Sequence, residues 1–394
     1  MPARPSLPEI FLAALRLGCT SFGGPVAHLG YFHKEYVERR RWLDDAHYAD
    51  LVALCQFLPG PASSQVGFGV GWLQRGLTGG LAAWVGFTLP SAVLMTAFAL
   101  GISRLGTLGT AGWLQGLKTA AVAVVAQAVW SMAVKLCPDR PRATLALGAA
   151  VALLLMPTAW SQVAVIALGA GLGWWWFRAG ADDAVAPAPA PMSRRTGALW
   201  LAAFFILLAG LPVLAGVSGN SWLVIFDRFY RVGSLVFGGG HVILPLLERE
   251  VVAPGWLTHD QFLAGYGAAQ ALPGPLFTLC AYLGALLRVG PGGWLGAMWA
   301  VVAIFVPSIL LVAGTLPFWQ TLRSRPGAQA ALRGANATVV GVLLAALYDP
   351  VWSAGITGVR SLSLALAVFA ALQVWKLPPW VVIIAAAGLG QIFF

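Results

Sequence analysis

The sequence predicts an all-α polytopic membrane protein made of two homologous halves that form an inverted, antiparallel repeat. Hydrophobic residues make up 59% of the 394 residues and charged residues only 10%, whereas soluble proteins carry about 25% charged residues. Apolar stretches near the length of a membrane-spanning helix, about 20 residues, recur along the chain. The motifs of the first half also return in the second half in the same order, which indicates a duplication.

The first half, residues 1–177, holds six of these apolar segments. Its second segment is long because Pro59-Gly60-Pro61 interrupts it. Since proline lacks an N–H and clashes with the preceding turn, we expect two half-helices that meet there and a broken or re-entrant path. The last two segments are short for full spans and could form a helical hairpin. In order, the segments run over 8–32, 46–77, 79–103, 112–136, 142–156 and 158–177.

The two halves are joined by a polar stretch and one further helix. Charged residues and an Ala-Pro run in 178–197 predict a linker in water, and 198–218 is long and apolar enough for a connecting transmembrane helix. The second half, 219–394, repeats six segments, so the total is about 13 and the odd helix turns the second copy over. Its segments run over 222–247, 260–288, 291–318, 329–349, 358–375 and 378–394.

The distribution of basic residues predicts the orientation. The formal net charge is +10, but Lys and Arg are scattered between apolar runs, which favours cytoplasmic loops over a nucleic-acid-binding face. We therefore expect a multi-pass protein of a bacterial inner membrane, with a cytoplasmic N-terminus and linker and a periplasmic C-terminus. Lys34 and Arg39 to Arg41 would then lie outside, a conflict that is eased only if the first segment is re-entrant.

Two motifs recur at corresponding places in the halves. In membranes, paired segments interrupted by proline and glycine at such places are the best sequence indicator of a transporter's binding site. One motif is Pro-Gly-Pro, preceded by a glutamine, and the other is Phe-Gly-Gly. The pairs are Gln56 to Pro61 with Gln270 to Pro275, and Phe22-Gly23-Gly24 with Phe237-Gly238-Gly239.

Residues of four kinds around these motifs could bind an anion. Glycine lets a backbone approach a ligand, a half-helix N-terminus attracts anions, hydroxyls donate to oxyanion oxygens, and a buried amide needs a partner. The alternatives are close helix packing for the glycines and bonds back to helix carbonyls for the hydroxyls. The candidates are Gly23, Gly24, Gln56, Gly60, Ser63, Ser64, Gly238, Gly239, Gln270, Gly274 and Thr278.

Charged and titratable residues inside apolar segments are costly and usually functional. Arg16 and Arg231 correspond, and because few carboxylates are available at their depth, we expect them to contact backbone carbonyls or the substrate. Lys118 and Arg333 also correspond, but they lie near helix ends, where snorkelling to headgroups is the competing account. The candidates for proton coupling are His241, which is also a candidate substrate ligand or a structural histidine, Glu35 and Glu250; His28 and Glu248 could titrate too.

Motifs of several enzyme classes are missing from the sequence. The chain contains no GxxxxGK phosphate loop, no HExxH and no GxGxxG, so ATP hydrolysis by this polypeptide is not expected. We expect neither catalytic residues nor a metal or cofactor.

At these motifs the chain resembles the chromate ion transporter family of the long, duplicated type, whose members carry FGG-type and PGP motifs in each half. The resemblance covers nearly the whole chain. It implies chromate efflux, with sulfate as a competitor or exchange ion, driven by an ion gradient and not by ATP. The second copy departs in having Gly240 in place of Pro25, and Leu276-Phe277-Thr278 in place of Ala62-Ser63-Ser64, so the halves are expected to contribute unequally.

The resulting hypothesis is a secondary active transporter that exports chromate across the inner membrane and confers chromate resistance, driven by the proton-motive force or by anion exchange. A sulfate or molybdate permease is the nearest alternative, because those ions share charge and shape with chromate. An anion channel would carry flux that a proton gradient does not drive uphill. Against a membrane-embedded enzyme, the sequence lacks a cluster of acid, base and nucleophile. A lipid bilayer is the expected environment, and nucleic acid is not an expected partner. The sequence leaves open whether the protein forms a homodimer.

Overall fold

The fold is helical throughout the part of the chain that the structure describes. The computed structural model describes residues 4–22, 24–105, 112–156, 161–177, 193–237, 242–319 and 325–394. Those ranges contain no β-strand. The prediction of an all-α fold is therefore confirmed, whereas most of the predicted linker lies outside the described residues.

The first copy begins with short helices and continues with longer ones. Ser6 starts α1 through a capping box with Glu9, and the Asp44 side chain caps α3, so polar residues fix where these helices begin. After α2 the chain makes a π-helical stretch, His33–Arg39. The helices are α1 (Leu7–Thr20), α2 (Gly24–Phe32), α3 (Asp45–Phe57), α4 (Ala62–Leu105), α5 (Gly112–Leu136), α6 (Arg140–Leu155) and α7 (Ser161–Trp176).

The second copy follows the connecting helix α8 (Arg194–Ser218). Asn220 and Thr258 cap the first and third helices of this copy. A 3₁₀ turn, Leu276–Thr278, precedes the fourth helix. The helices are α9 (Ser221–Leu235), α10 (Ile243–Val251), α11 (His259–Ala271), α12 (Leu279–Leu286), α13 (Gly293–Thr315), α14 (Pro326–Ala346), α15 (Val359–Gln373) and α16 (Pro379–Phe393).

Two of the predicted spans in the first copy, 8–32 and 46–77, are instead hairpins. The neighbouring side chains of Gln74 and Arg75 donate to the carbonyl oxygens of Trp42 and Pro5, both at 2.8 Å. The start of α1, the residues before α3 and the kink of α4 therefore lie at one end of the bundle. Proline and glycine stop the helices at the two tips, and the chain returns instead of crossing.

The second copy repeats this arrangement. Arg228 in the middle of α9 donates to the backbone oxygen of Glu250 near the end of α10, at 2.7 Å. The Tyr282 hydroxyl of α12 donates to the backbone oxygen of Gln261 at the start of α11, at 2.8 Å. The predicted spans 222–247 and 260–288 are thus hairpins as well, in which α10 returns alongside α9 and α12 alongside α11.

The prediction of about 13 transmembrane helices is therefore not confirmed. Hydropathy measures how long an apolar stretch is, but it does not show whether the chain crosses or turns back. Among the described residues, five helices are long and apolar enough to cross a membrane: Ala62–Ser103, Gly112–Leu136, Arg194–Ser218, Gly293–Phe318 and Pro326–Gly355. The helices α6, α7, α15 and α16 are shorter, as expected for the ends of the two halves.

The two copies exchange their terminal hairpins. Helices α15 and α16 of the second copy pack on α5 of the first, while α6 and α7 of the first pack on α14 of the second. Small residues allow the close approach: a Cβ placed on Gly112 would collide with the backbone of Gly390 at 2.5 Å, and one on Gly173 with the backbone of Ala330 at 2.6 Å. This exchange ties the two halves into one bundle.

The corresponding helices α5 and α14 run in opposite directions. Cys137, just after the end of α5, contacts the backbone oxygen of Ala337 in the middle of α14. Gln115 and Thr119, near the start of α5, donate to the backbone oxygen of Gly355, which follows α14. The start of α5 thus faces the residues after α14, and its end faces the body of that helix.

Candidate functional site

The tips of the hairpins from the two copies meet and hydrogen-bond across the repeat. The backbone N–H of Gly60 donates to the carbonyl of Val236 at 2.6 Å, and the N–H of Gly274 donates to the carbonyl of Ser21 at 2.9 Å. Gly60 corresponds to Gly274 and Ser21 corresponds to Val236, so the two contacts are equivalent. Each Pro-Gly-Pro tip therefore crosses the helix break of the other copy.

Both tip glycines are required by conformation and by space. Gly60 has φ +121° and Gly274 has φ +98°, a region that side chains with a Cβ rarely adopt. A Cβ at Gly60 would collide with Ser308 Oγ and would lie 2.7 Å from Gln65 Nε2, and a Cβ at Gly274 would lie 2.7 Å from Ser91 Oγ. Each tip is pressed against a serine of the opposite copy.

Buried polar atoms surround the Gly60 tip. Ser64 Oγ, Gln65 Oε1 and Ser308 Oγ are fully buried and have no hydrogen-bond partner among the described residues. Gln65 Nε2 donates to the carbonyl of Pro59 at 2.7 Å. Because buried polar groups nearly always have partners, three such atoms around one tip mark a place for a polar ligand or water.

His28 lies beside this tip. Its Nδ1 is 3.3 Å from Ser63 Oγ, and its ring also forms a hydrogen bond with the backbone of Ser21, the residue that accepts from Gly274. The His28 side chain is buried and stands edge-on to Phe87. His28 thus links both Pro-Gly-Pro tips through Ser63 and Ser21.

A cavity of about 390 Å³ opens beside the Gly274 tip. Its wall combines Gly274 and Gln270 of the second copy with Gly24 of the first copy and with the turn between α15 and α16. That turn contributes Lys376, and the N-terminus of α16 completes the wall. The described lining is Gly24, Val124, Gln127, Ala269, Gln270, Leu272, Gly274, Leu276, Leu372, Gln373, Lys376, Leu377 and Pro379.

The cavity is large enough for a hydrated tetrahedral oxyanion, and its wall offers donors of three kinds. Gln127, Gln270 and Gln373 bring amides, and Lys376 brings an ammonium group. The N-terminus of a helix adds a partial positive charge. None of the described lining residues is acidic, so the arrangement favours an anion.

The hydroxyl and amide candidates from the sequence divide between the two tips. Ser63 and Ser64 begin α4 beside Gly60, and both are buried. Thr278 is buried as well, but its hydroxyl donates back to the carbonyl of Pro275 at 2.8 Å, the alternative considered for such residues. Gln270 lines the cavity, whereas Gln56 lies on an exposed surface of α3.

The arginine pair does not share one environment. Arg231 forms ion pairs with Asp227 at 3.0 Å and with Glu250 at 3.4 Å, so the expectation that few carboxylates lie near it is wrong. Asp227 precedes Arg231 by one helical turn, which places the two on one face. In the first copy Leu12 stands one turn before Arg16, and Arg16 is exposed.

Lys118 is buried and does not reach towards headgroups. Its Nζ lies 2.9 Å from Asp260 Oδ1 at the start of α11, and its side chain is 8% exposed. The snorkelling account is therefore wrong for Lys118, because a carboxylate of the other copy compensates its charge. The corresponding Arg333 is half-buried and donates to Gln329 at 3.5 Å.

The acidic candidates for coupling have different partners. Glu35 is buried and pairs with Arg40 at 2.6 Å and with Arg39 at 3.0 Å. Burial alone would raise the pKa of Glu35, but hydrogen bonds and charge from Arg40 and Arg39 outweigh it and hold that pKa below its usual value. Burial raises the pKa of Glu250, although Arg231 and Arg228 oppose the shift.

Four candidates, Gly23, Gly238, Gly239 and His241, lie outside the described residues. Sequence reasoning missed Lys376, Gln65 and Ser308, which the structure places at the two tips. A signal for Ser308 was present, because Pro90-Ser91 and Pro307-Ser308 recur in both halves. For Lys376 the signal was a lysine in the turn of a hairpin too short to span a membrane.

Comparisons with known proteins agree with this architecture. The family model described as "Chromate transporter" matches twice, over residues 8–174 and 223–391. A chromate transport protein of Pseudomonas aeruginosa is 31% identical, with 100% of this chain and 94% of that protein covered. A probable chromate transport protein of Synechococcus elongatus is 26% identical, with 99% and 96% covered.

A chromate transport protein of Cupriavidus metallidurans is 28% identical, with 87% of this chain and 82% of that protein covered. No solved structure matches the chain. The family match falls once on each copy, and each match contains one Pro-Gly-Pro tip and one Phe-Gly-Gly motif. The chain is an integral membrane protein that belongs to the chromate transporter family.

Proposed function

We propose that this protein is a secondary active transporter that exports chromate from the cytoplasm across the bacterial inner membrane and thereby confers chromate resistance. The observation that carries the proposal is the cavity beside Gly274, which residues of both copies line where the hairpin tips cross. Family membership supports chromate as the transported ion. A tetrahedral dianion needs several donors at once, and the described wall offers amides, an ammonium group and a helix N-terminus.

In this proposal Gln270 and the Gly274 backbone contact the oxyanion in the cavity. Gly24 leaves space for it, and its sequence neighbour Gly23 is proposed to contribute in the same way. Around the first tip, Gly60, Ser63 and Ser64 form the second half of the path, where backbone and hydroxyl groups replace water of hydration as the ion moves. Gly238, Gly239 and His241 complete this half by correspondence with the first copy.

The two copies are proposed to form an inverted repeat, and the opposite courses of α5 and α14 support this. Alternating access requires two conformations in which the copies exchange roles, and the equivalent contacts at the two tips support such an exchange. The terminal hairpins, exchanged between copies, would move together with the helix of the other copy on which they pack. Each such hairpin and the helix on which it packs would form one moving unit. Rocking of one unit against the other would open the cavity first to one side of the membrane and then to the other.

The proposed orientation places the N-terminus and linker in the cytoplasm and the C-terminus outside. Trp72, near the kink of α4, contacts Trp200 in the first turns of α8, so the start of α8 lies at the N-terminal end of the bundle. At the opposite end of the bundle, the backbone N–H of Trp113 donates to Gln391 Oε1 at 3.2 Å. Lys34 and Arg39 to Arg41 then face the cytoplasm, which removes the conflict noted for the loop charges.

Coupling is proposed to use protons or exchange of a second anion such as sulfate. Glu250 is the preferred proton carrier, because burial favours its protonation and because it pairs with Arg231 in α9. Glu35 is less suited, since Arg39 and Arg40 hold it ionised. Arg16, Lys118 and Arg333 are proposed to stabilise the bundle or its surface charge instead of contacting substrate.

The test is accumulation of labelled chromate in inverted membrane vesicles, with and without a pH gradient. Proton-driven export predicts uphill accumulation that collapses when a protonophore removes the gradient, whereas anion exchange predicts uphill accumulation that depends on a gradient of the second anion. Parallel assays with labelled sulfate and molybdate distinguish a permease for those ions. Chromate flux that only follows its own gradient would indicate a channel, and no flux above that of empty-vector vesicles would refute the proposal.

A further inference from the structure

We propose that Lys376 is the cation that binds the oxyanion in the cavity, and that the second copy alone supplies it. The inference rests on the proposed transport function. It concerns a residue in the turn between α15 and α16, which lies far from the recurring motifs in the sequence. Four independent observations carry it.

The first observation is depth. Helices α15 and α16 have 15 residues each, so at 1.5 Å per residue they are about 22 Å long, whereas the apolar core of a membrane is about 30 Å thick. Arg360 Nη1 donates to the backbone oxygen of Phe393 at 3.2 Å, which closes the other end of this hairpin. The turn with Lys376 therefore ends short of a full crossing. A lysine at such a depth is costly unless water or an anion compensates its charge.

The second observation is the place of the side chain. Lys376 is exposed and lines the cavity together with Gln270 and Gly274. Because no described lining residue is acidic, the charge of Lys376 is left for a ligand. A lysine also differs from the arginines of this chain in being a compact charge on a flexible stem, which suits an ion that must be released.

The third observation is the backbone. Lys376 has φ +53°, a left-handed conformation in which helices usually end on glycine or asparagine. Hydrogen bonds hold the turn in place, from the N–H of Trp375 to Ala370 O at 3.1 Å and from the N–H of Leu377 to Ala371 O at 3.0 Å. Glycine would relax the strain of this turn, so a lysine at this position supports a use for its side chain.

The fourth observation is asymmetry between the copies. The corresponding stretch of sequence between α6 and α7 of the first copy, 156–160, reads Met-Pro-Thr-Ala-Trp and has no basic residue. The first tip is surrounded by unpartnered neutral groups, whereas the second tip has a cavity and a cation. The strongest attraction for a dianion is therefore at the second tip, and the ion leaves it for a weaker, neutral set of donors.

The experiment separates the charge of Lys376 from the shape of its turn. Lys376→Gly and Lys376→Asn tolerate the left-handed backbone but remove the charge, and Lys376→Arg keeps the charge. Lys135→Gln is the matched control, because Lys135 is an exposed lysine at the end of α5. Chromate binding to purified protein in detergent is measured at equilibrium, and transport is measured in inverted vesicles.

We expect the glycine and asparagine variants to lose chromate affinity by about tenfold or more, while the arginine variant stays within about threefold of the wild type. Lys135→Gln should bind as the wild type does. Folded Lys376→Gly protein that binds chromate as tightly as the wild type would overturn the role of Lys376 alone. Wild-type protein that neither binds nor transports chromate would overturn the proposed function, and with it this inference.

A second readout does not depend on transport. The variant combines Lys376→Cys with Cys19→Ser, because Cys19 is exposed. The thiol introduced at position 376 should react with a charged methanethiosulfonate reagent, and chromate should slow the reaction. The positively charged reagent should restore part of the binding, whereas the negatively charged reagent should not. Equal reaction rates with and without chromate would contradict the proposal.

Discussion

Gly60 and Gly76 both have positive φ, +121° and +63°, but only Gly60 is crowded. A Cβ at Gly60 meets Gln65 and Ser308, whereas nothing lies within 4 Å of a Cβ at Gly76. The two positions therefore separate backbone strain, which costs about 1 to 3 kcal/mol at such positions, from displacement of the groups at the tip.

We expect Gly60→Ala to reduce chromate transport by about tenfold or more and Gly76→Ala to keep most of it. The physical reason is that the added methyl group at Gly60 pushes apart the tip and the serine of the other copy. Vesicle transport, normalised to the amount of inserted protein, measures the difference. Equal losses in both variants would mean that backbone strain alone matters and that the contact at the tip does not.

The expectation that few carboxylates lie near Arg231 was wrong for a reason that its two partners show. Asp227 stands one helical turn before it in the sequence and was visible as a partner, whereas Glu250 comes close only because α9 and α10 fold into a hairpin. A guanidinium that already has two carboxylates is less available to an oxyanion. Its main contribution is therefore expected to be to stability.

We expect Arg231→Gln to destabilise the protein by about 2 kcal/mol, between the values for exposed and buried pairs, because Asp227 would be left buried without its partner. The double variant with Asp227→Asn should recover part of that loss. Thermal unfolding in detergent measures both, and chromate affinity of the folded variants should stay near normal. A selective loss of affinity at unchanged stability would return Arg231 to the binding site.

At the scale of elements, the sequence predicted the helix breaks but not where the broken helices lead. Pro59-Gly60-Pro61 and its repeat indicated half-helices because proline and glycine act locally. The return of each hairpin depends on contacts such as that of Gln74 with Trp42, which hydropathy cannot register. The exchange of terminal hairpins depends likewise on small residues that face each other only in the folded bundle.

The pair of Lys118 and Asp260 joins α5 of the first copy to α11 of the second, and its two ends differ in burial. Lys118 is 8% exposed and Asp260 is 47% exposed. Removing the aspartate leaves a buried charge without a partner, whereas removing the lysine leaves a carboxylate that water can reach. The two single variants should therefore differ in cost.

We expect Asp260→Asn to lower the unfolding free energy by about 2 to 3 kcal/mol and Lys118→Met by less than about 1 kcal/mol. Denaturation of both variants under identical detergent conditions measures the difference. The double variant should resemble Lys118→Met. A larger loss in Lys118→Met than in Asp260→Asn would show that packing of the lysine stem, and not charge compensation, is its main role.

At the scale of the whole molecule, the duplication was readable because the motifs keep their order and spacing. The number of crossings was not readable, because four apolar segments turn back at their tips. The relative direction of the copies depends on whether the number of membrane crossings between them is odd or even. A segment that crosses the membrane changes that number by one, whereas a segment that turns back leaves it unchanged. The orientation of the ends of the chain is therefore the most direct check on the proposed inverted repeat.

We expect a reporter inserted in the 178–197 linker to lie in the cytoplasm and a reporter fused after Phe394 to lie outside. The start of α8 packs near the kink of α4 through Trp200 and Trp72, at the end of the bundle that also holds the N-terminus. Gln391 lies beside Trp113 at the start of α5, which the long second arm of α4 separates from that end. Paired phosphatase and fluorescent-protein fusions at each site measure the side directly, since each is active on one side only. Matching sides for the two fusions, in protein that still transports chromate, would refute the antiparallel arrangement while leaving the hairpin tips and their cavity intact.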